Sequence, residues 1–201
     1  MLVGLGLGPG EPELLTLRAV RLLKEADAVF VPGRIAYNLV APYRRAEILE
    51  FPMTDDEGRI RSCLEENADR IAEPAEKGLA VFGILGDPNF FSTFSRLCAI
   101  LQDRYPDIAC VTEPGISSIT AFASAAGIPL NGGFEVSDGA EPDARILLKV
   151  RRPKETMARL EREGYREFVL VERMFMKDMM VYRGRDLPEK SDYMSVLYAK
   201  R

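Results

Sequence analysis

Apolar residues occur along the chain in two patterns, short continuous runs and helical spacing. These patterns predict strands that alternate with helices. Residues 1–7 and 79–85 are short apolar runs, as expected for strands that are buried on both faces of a parallel sheet. Apolar residues at helical spacing follow the first run, with Leu15, Ala19 and Leu22 on one face. This alternation favours an α/β fold with an open, mostly parallel first sheet.

The first half of the chain contains the clearest pattern. We expect strands at residues 1–7, from 28, 48–51, 79–85 and 108–112, and helices at 15–26, 57–77 and 90–103.

The second half has a different pattern. We expect a small-residue helix at 117–126 that ends at Gly127, a strand at 145–150, a helix at 153–163, and strands at 168–173, 179–183 and 193–200. Strands that follow one another without helices between them favour a mixed or antiparallel sheet. We therefore predict two α/β domains, residues 1–113 and 114–201.

Composition narrows the class of protein. The 201 residues are 47% hydrophobic and 29% charged, which is ordinary for a globular domain, and the net charge of −4 disfavours non-specific binding of nucleic acid. No apolar run is long enough to cross a membrane, and no basic segment leads into an apolar one, so we expect neither a membrane span nor an export signal. The three cysteines are odd in number and lack C-x-x-C spacing, which indicates reduced thiols and a cytoplasmic protein.

Histidine is absent from the sequence. Its absence excludes Ser-His and Cys-His nucleophile pairs and makes a zinc hydrolase a poor interpretation, so we expect no metal site.

Glycines at 4, 6, 8 and 10 surround Pro9 at the end of the first predicted strand. A G-x-G-x-x-G dinucleotide fingerprint would need glycine at position 9 or 11, which Pro9 and Glu11 occupy. The G-x-x-x-x-G-K-[ST] phosphate loop is also missing. The glycines instead allow a ligand or a neighbouring loop to approach the main chain closely.

Three loops follow apolar strands, at residues 8–10, 86–92 and 113–118. If these strands are parallel neighbours, the loops gather at one edge of the sheet, where open α/β folds bind ligands. Asp87 could accept hydrogen bonds from a ligand, and Ser117 and Ser118 stand at the start of a helix. The structural alternative is that Asp87 and Ser117 only cap the helices that follow them.

The chain resembles the tetrapyrrole (corrin and porphyrin) methyltransferases, which use S-adenosylmethionine. The resemblance rests on GLGLGPGEPELLTLRAVRLLKEADAVFVP at 4–32, GILGDPNFFSTFSRL at 83–97 and EPGISSITAFASAAGIPL at 113–130, with ILLKV, FVLVERM and YMSVLYAKR further on. Within the family, GDP-x-x-[YF]-S-T-F together with LLKV and YMS is most similar to the precorrin-2 or cobalt-factor II C-20 methyltransferases. The stretches 32–51 and 130–145 are shorter than in that subgroup.

The resemblance implies a cleft between the two domains and roles for individual residues. It places Pro9 beside the sulfonium, places Leu148 and Lys149 along the adenine, and implies cofactor contacts for Leu85, Gly86, Asp87, Phe90, Ser117 and Ser118. A core position in a strand is the alternative for Leu148. Asp87 is the one candidate for a catalytic base, and a binding role for it is favoured.

A substrate derived from uroporphyrinogen would carry eight carboxylates, for which arginine is a suitable partner. We expect substrate-binding residues among Arg34, Arg44, Arg45 and Arg96, with Arg59, Arg61, Arg151 and Arg152 as further candidates. A solvated surface charge is the alternative for each.

The resemblance therefore implies a cytoplasmic homodimer that methylates C-20 of precorrin-2 or cobalt-factor II and releases S-adenosylhomocysteine. The alternatives are another corrin position, the diphthamide precursor on elongation factor 2, ribosomal RNA, or a tetrapyrrole-binding protein without catalysis.

Overall fold

The computed structural model describes residues 1–201, which divide into two compact units, residues 1–134 and 135–201. The first unit is built on a five-stranded parallel sheet in the order β3-β2-β4-β1-β5. Its strands are β1 (Leu2–Gly6), β2 (Ala28–Val31), β3 (Glu47–Ile48), β4 (Ala80–Ile84) and β5 (Cys110–Glu113). Its helices are α1 (Leu17–Glu25), α2 (Arg34–Val40), α3 (Glu57–Lys77), α4 (Phe94–Arg104) and α5 (Ser118–Ala126).

Helices cover both faces of the central strands of this sheet. Leu2 and Phe82 pack with α3 and α4 on one face, whereas Val3, Leu5 and Val81 pack with α1 and α2 on the other. Because alternate side chains of β1 and β4 enter two different cores, both strands are apolar throughout. The predicted parallel α/β arrangement is confirmed.

Most of the predicted elements are present. Helix α3 has the predicted bounds and is capped by Asp56, whose side chain accepts a hydrogen bond from the Arg59 N–H. Helix α4 begins at Phe94 rather than at residue 90, because Phe91 has a left-handed backbone (φ 50°) that a right-handed helix cannot include. Strand β3 has only two residues, and α2 was not predicted.

The second unit is a four-stranded sheet with one helix. It contains β6 (Ala144–Leu148), α6 (Pro153–Arg162), β7 (Glu167–Glu172), β8 (Met180–Arg183) and β9 (Ser195–Lys200). The order is β6-β9-β7-β8, and every pair is antiparallel. The sequence left a mixed and an antiparallel sheet open, and the antiparallel one is found. Strand β9 lies between β6 and β7 and is antiparallel to both. Leu160 of α6 packs with Phe168, Leu170 and Leu197 in the core of this unit.

The predicted domain boundary after Glu113 remains a prediction. In the structure, residues 114–134 and therefore α5 group with the first unit. The Gly115 N–H donates a hydrogen bond to the Asp87 carboxylate, which ties the start of this segment to the first sheet. None of the helices is both long and apolar enough to cross a membrane.

Candidate functional site

The three predicted loops converge at the carboxyl edge of the first sheet. Strand β1 lies between β4 and β5, with Leu2 opposite both Ala80 and Cys110, so the loops after these strands start at the same level. Gly8 and Gly86 form an antiparallel bridge: the Gly86 N–H donates to the Gly8 oxygen at 2.7 Å, and the Gly8 N–H to the Gly86 oxygen at 3.3 Å. The predicted gathering of the loops is confirmed.

Close main-chain contact between these loops is possible because glycine, which has no Cβ atom, occupies positions 6 and 115. A Cβ atom on Gly6 would lie 2.3 Å from the Gly115 nitrogen, and one on Gly115 would lie 2.3 Å from the Gly86 oxygen. Both distances are shorter than any normal contact. The first and third loops therefore approach each other at a distance that only glycine allows at positions 6 and 115.

Asp87 links the second loop to the third. Its side chain is buried, its Oδ1 accepts a hydrogen bond from the Asn89 N–H at 2.9 Å, and its Oδ2 accepts one from the Gly115 N–H at 3.2 Å. Asp87 does not cap α4, whose N-cap position is Thr93. The helix-capping alternative is therefore wrong for Asp87.

Ser117 does cap a helix. Its hydroxyl accepts a hydrogen bond from the Ile119 N–H at 3.2 Å at the start of α5. A Cβ atom on Gly86 would lie 4.0 Å from the Ser118 nitrogen, so the second loop faces the first turn of α5. This arrangement places free main-chain N–H groups beside the loop.

Apolar side chains stand exposed around these loops. Pro9, Leu85 and Phe90 are all exposed, Leu85 and Phe90 by 39% and 43%, and Gly86 is half-buried. An apolar surface beside available main-chain groups can bind a ligand that has both polar and apolar parts.

Leu148 and Lys149 lie in the second unit, at the end of β6. Leu148 is 68% exposed, so the alternative of a core residue is wrong. Lys149 has a left-handed backbone (φ 58°), and its Nζ lies 5.2 Å from the centre of the Tyr193 ring.

The sequence model of the tetrapyrrole (corrin/porphyrin) methylase family matches residues 1–185 of the chain. The chain belongs to this family. The match includes all three loops and most of the second unit.

Relatives of this tetrapyrrole methylase cover nearly its whole length. It is 32% identical to the "Probable cobalt-precorrin-2 C(20)-methyltransferase" of Methanocaldococcus jannaschii, over 98% of this chain and 95% of the relative. It is 29% identical to the precorrin-2 C(20)-methyltransferase of a Sinorhizobium species, over 95% of this chain and 89% of the relative. The fold is shared with CobF, a cobalamin-synthesis-related protein of Corynebacterium diphtheriae, with a TM-score of 0.55, 16% identity, and coverage of 100% and 98%.

The arginines expected to bind substrate in this tetrapyrrole methylase lie in different places. Arg34 begins α2 directly after β2, at the loop edge of the sheet, and its guanidinium lies 5.1 Å from the centre of the Tyr37 ring. Arg96, in the first turn of α4, pairs with Glu57 at 2.6 Å. Arg44 donates to the Asp27 oxygen at 3.3 Å, just before β2 and therefore at the opposite edge. The adjacent Arg45 is exposed.

Sequence reasoning missed two contacts that hold the loops of this methylase. The Asn89 side chain donates to the Thr112 hydroxyl at 3.1 Å, and Arg18 of α1 pairs with Glu113 at 2.9 Å. The partners of the first contact are 23 residues apart, and no local spacing signals it. Nothing local could have indicated the second, because its partners are far apart in sequence. No group of three or more Cys, Asp or Glu side chains has a metal-binding arrangement.

Proposed function

We propose that the protein is an S-adenosylmethionine-dependent C-methyltransferase of cobalamin biosynthesis, acting on C-20 of precorrin-2 or cobalt-factor II. The observation that carries this proposal is the similarity, over nearly the full length of the chain, to two proteins named as C(20)-methyltransferases of this substrate class. The converging loops support it, because they offer a binding surface at the sheet edge where this fold class holds ligands.

The loop residues fit a nucleoside with a sulfonium group. Pro9, Leu85 and Phe90 offer exposed apolar surface, while Ser118 in the first turn of α5 offers a main-chain N–H. The sulfonium supplies an activated methyl group, so the protein mainly has to orient the two reactants. Orientation alone can contribute about 7–11 kcal/mol when the reacting groups are well aligned. Catalysis by orientation, without a general base, suits a protein that has no histidine.

We assign Asp87 to positioning rather than to proton removal. Its two carboxylate oxygens each accept a main-chain N–H, from Asn89 and Gly115. The side chain is buried, so these two bonds hold the carboxylate in place between the two loops. Its role is therefore to hold the second and third loops together around the methyl donor.

We further propose a cytoplasmic homodimer. The support for self-association is an exposed apolar surface. Helix α5 has no buried residue, and Phe122 in α5 and Phe134 after it are 60% and 59% exposed. The three cysteines are free thiols, as in a reducing compartment. Light scattering after size-exclusion chromatography gives the oligomeric state.

The enzymatic proposal is tested with purified protein and isotopically labelled S-adenosylmethionine. Precorrin-2 and cobalt-factor II are incubated separately, and mass spectrometry counts the methyl groups added. One labelled methyl on either substrate supports the proposal, and the comparison shows whether cobalt has to be present. Transfer to neither substrate contradicts it.

A further inference from the structure

Two of the three free thiols lie together, away from the ligand-facing ends of the loops. Cys98 lies in α4 and Cys110 begins β5, and both line one cavity of about 330 Å³. Both are half-buried and pack against the same apolar core, between the first sheet and the helices α3 and α4. The Cys98 thiol donates a hydrogen bond to the Cys110 sulfur. We refer to these two residues as the Cys98–Cys110 pair.

Cys63 shows how an isolated thiol differs from this pair. It lies in α3, where its thiol donates a hydrogen bond to the Glu50 main-chain oxygen at 2.9 Å. Its other hydrogen-bond partner is the Asn67 side-chain amide at 3.8 Å. Because both partners are oxygen or nitrogen atoms, Cys63 has no sulfur beside it with which to form a disulfide within the chain.

The Cys98–Cys110 pair is accessible to small oxidants and has unequal thiols. The exposed residues Gln102 and Thr112 line the same cavity, so solvent reaches it. The hydrogen bond from Cys98 lowers the pKa of Cys110, and the thiolate is the form that attacks an oxidant. The same hydrogen bond raises the pKa of Cys98. Cys110 is therefore the attacking thiol and Cys98 the resolving thiol.

The cavity also borders the second loop of the candidate site. Pro88 and Asn89 line it together with Thr112, and the Asn89 side chain donates to the Thr112 hydroxyl at 3.1 Å. The Asn89 N–H donates to the Asp87 carboxylate, whose other oxygen accepts the Gly115 N–H. A change in the spacing between α4 and β5 therefore reaches the link between the second and third loops.

We propose that Cys98 and Cys110 form a reversible disulfide that weakens binding of the methyl donor. The oxidant is a hydroperoxide. The Cys110 thiolate attacks one peroxide oxygen, the O–O bond breaks, and the sulfur becomes a sulfenic acid while the other oxygen leaves as hydroxide and takes up a proton. The Cys98 sulfur then attacks the sulfenic sulfur, and the hydroxyl leaves with the Cys98 proton as water. Two thiols thus lose two electrons to one peroxide, and a dithiol reverses the reaction by thiol–disulfide exchange.

The effect on the methyl donor follows from the geometry of the new bond. A covalent S–S bond is shorter than the hydrogen bond that it replaces, so it draws α4 towards β5 and disturbs the contact between Asn89 and Thr112. Formation of the disulfide does not depend on the proposed function. Only the identity of the ligand, a nucleoside with a sulfonium group, rests on it.

Oxidation of the full chain with hydrogen peroxide tests the disulfide. After the remaining thiols are alkylated, peptide mapping by mass spectrometry should find two peptides joined through Cys98 and Cys110, and dithiothreitol should separate them. Cys63→Ser keeps the pair and should form this bond as the wild type does. Cys98→Ser removes the resolving sulfur and should leave a sulfenic acid on Cys110 that dimedone labels. Circular dichroism of each reduced variant should match the wild type, which shows that the variants are folded.

Two results of the peptide map would overturn the disulfide. One is oxidation of Cys110 in the wild type without any bond to Cys98. The other is a bond between Cys98 and Cys110 that dithiothreitol does not reverse.

Calorimetry with S-adenosylhomocysteine tests the effect on the donor site. We expect oxidation to weaken binding about fivefold or more in the wild type and in Cys63→Ser, and less than about twofold in the double variant Cys98→Ser/Cys110→Ser. A disulfide that leaves this Kd unchanged would reject the effect on the donor. Absence of binding by the reduced wild type would reject both that effect and the proposed function, whereas the peptide map would still decide whether the disulfide forms.

Discussion

The Asp87 carboxylate accepts a hydrogen bond from the Gly115 N–H across 3.2 Å and so ties the loop after β4 to the loop after β5. Its other oxygen accepts the Asn89 N–H within its own loop. One buried side chain thus fixes two of the three loops that form the candidate site.

Removal of this link should affect both stability and cofactor affinity. Asp87→Ala leaves two main-chain N–H groups without their acceptor, and we expect it to lower the free energy of unfolding by about 1–3 kcal/mol. We also expect weaker S-adenosylhomocysteine binding by calorimetry. Asp87→Asn keeps one acceptor oxygen and should lie between the wild type and Asp87→Ala. Alanine at the exposed Asp107 is the control; an effect of Asp87→Ala no larger than that of the control would contradict the positioning role.

The approach of Gly6 to Gly115 gives a second prediction. A methyl group at either position would lie 2.3 Å from main-chain atoms, which cannot move as a flexible side chain can. Gly6→Ala and Gly115→Ala should each lower the free energy of unfolding by about 1–3 kcal/mol in urea titrations. Gly133→Ala, where an added Cβ meets nothing within 4 Å, should stay within about 0.5 kcal/mol of the wild type. Similar values for all three variants would show that the loops do not need this close approach.

A third prediction concerns the thiols of Cys98 in α4 and Cys110 in β5. The Cys98 thiol donates a hydrogen bond to the Cys110 sulfur, which lowers the pKa of Cys110 and raises the pKa of Cys98. Burial raises the pKa of Cys63. Because the thiolate is the reactive form, iodoacetamide near neutral pH should modify Cys110 first.

Two variants test this origin of the reactivity. Cys98→Ala removes the donor, so the pKa of Cys110 should rise and its alkylation should slow, whereas Cys98→Ser keeps a donor and should react more like the wild type. Peptide mapping by mass spectrometry gives the rate for each cysteine across pH. Faster labelling of Cys63 than of Cys110 would disagree with this hydrogen bond.

A fourth prediction separates two of the arginines expected to bind substrate. Arg34 stands at the loop edge of the first sheet, and Arg44 stands at the opposite edge. Arg34→Ala should therefore weaken binding of uroporphyrin III, a stable tetrapyrrole with eight carboxylates, more than Arg44→Ala, at matched net charge. Fluorescence titration measures both, and a larger effect of Arg44→Ala would reject the edge assignment.

The sequence predicted the sheet well because its signal is local and strong. Apolar runs such as 79–85 identify strands with two buried faces, and parallel strands require their following loops to share an edge. Helix α2, at Arg34–Val40, was missed because seven residues make only about two turns, too few for a reliable period.

The contacts within the site were harder to predict. Sequence identified Asp87 as a polar residue in the right loop but could not show that Gly115 and Asn89 occupy its oxygens. It also left Leu148 undecided between core and surface, since an edge strand and a buried strand look alike over five residues. In the sequence, Tyr193 stands out only as part of the YMS motif. The pairing of β6 with β9 brings Lys149 and Arg151 close to its ring.

Methyl transfer to C-20 can be observed by carbon-13 NMR of the product formed from carbon-13-methyl S-adenosylmethionine. We expect a single enriched methyl group bonded to C-20 of the precorrin-2 or cobalt-factor II macrocycle. An enriched methyl on any other ring carbon would contradict the C-20 assignment and leave the family unchanged, and the absence of label from both macrocycles would contradict the proposed activity itself.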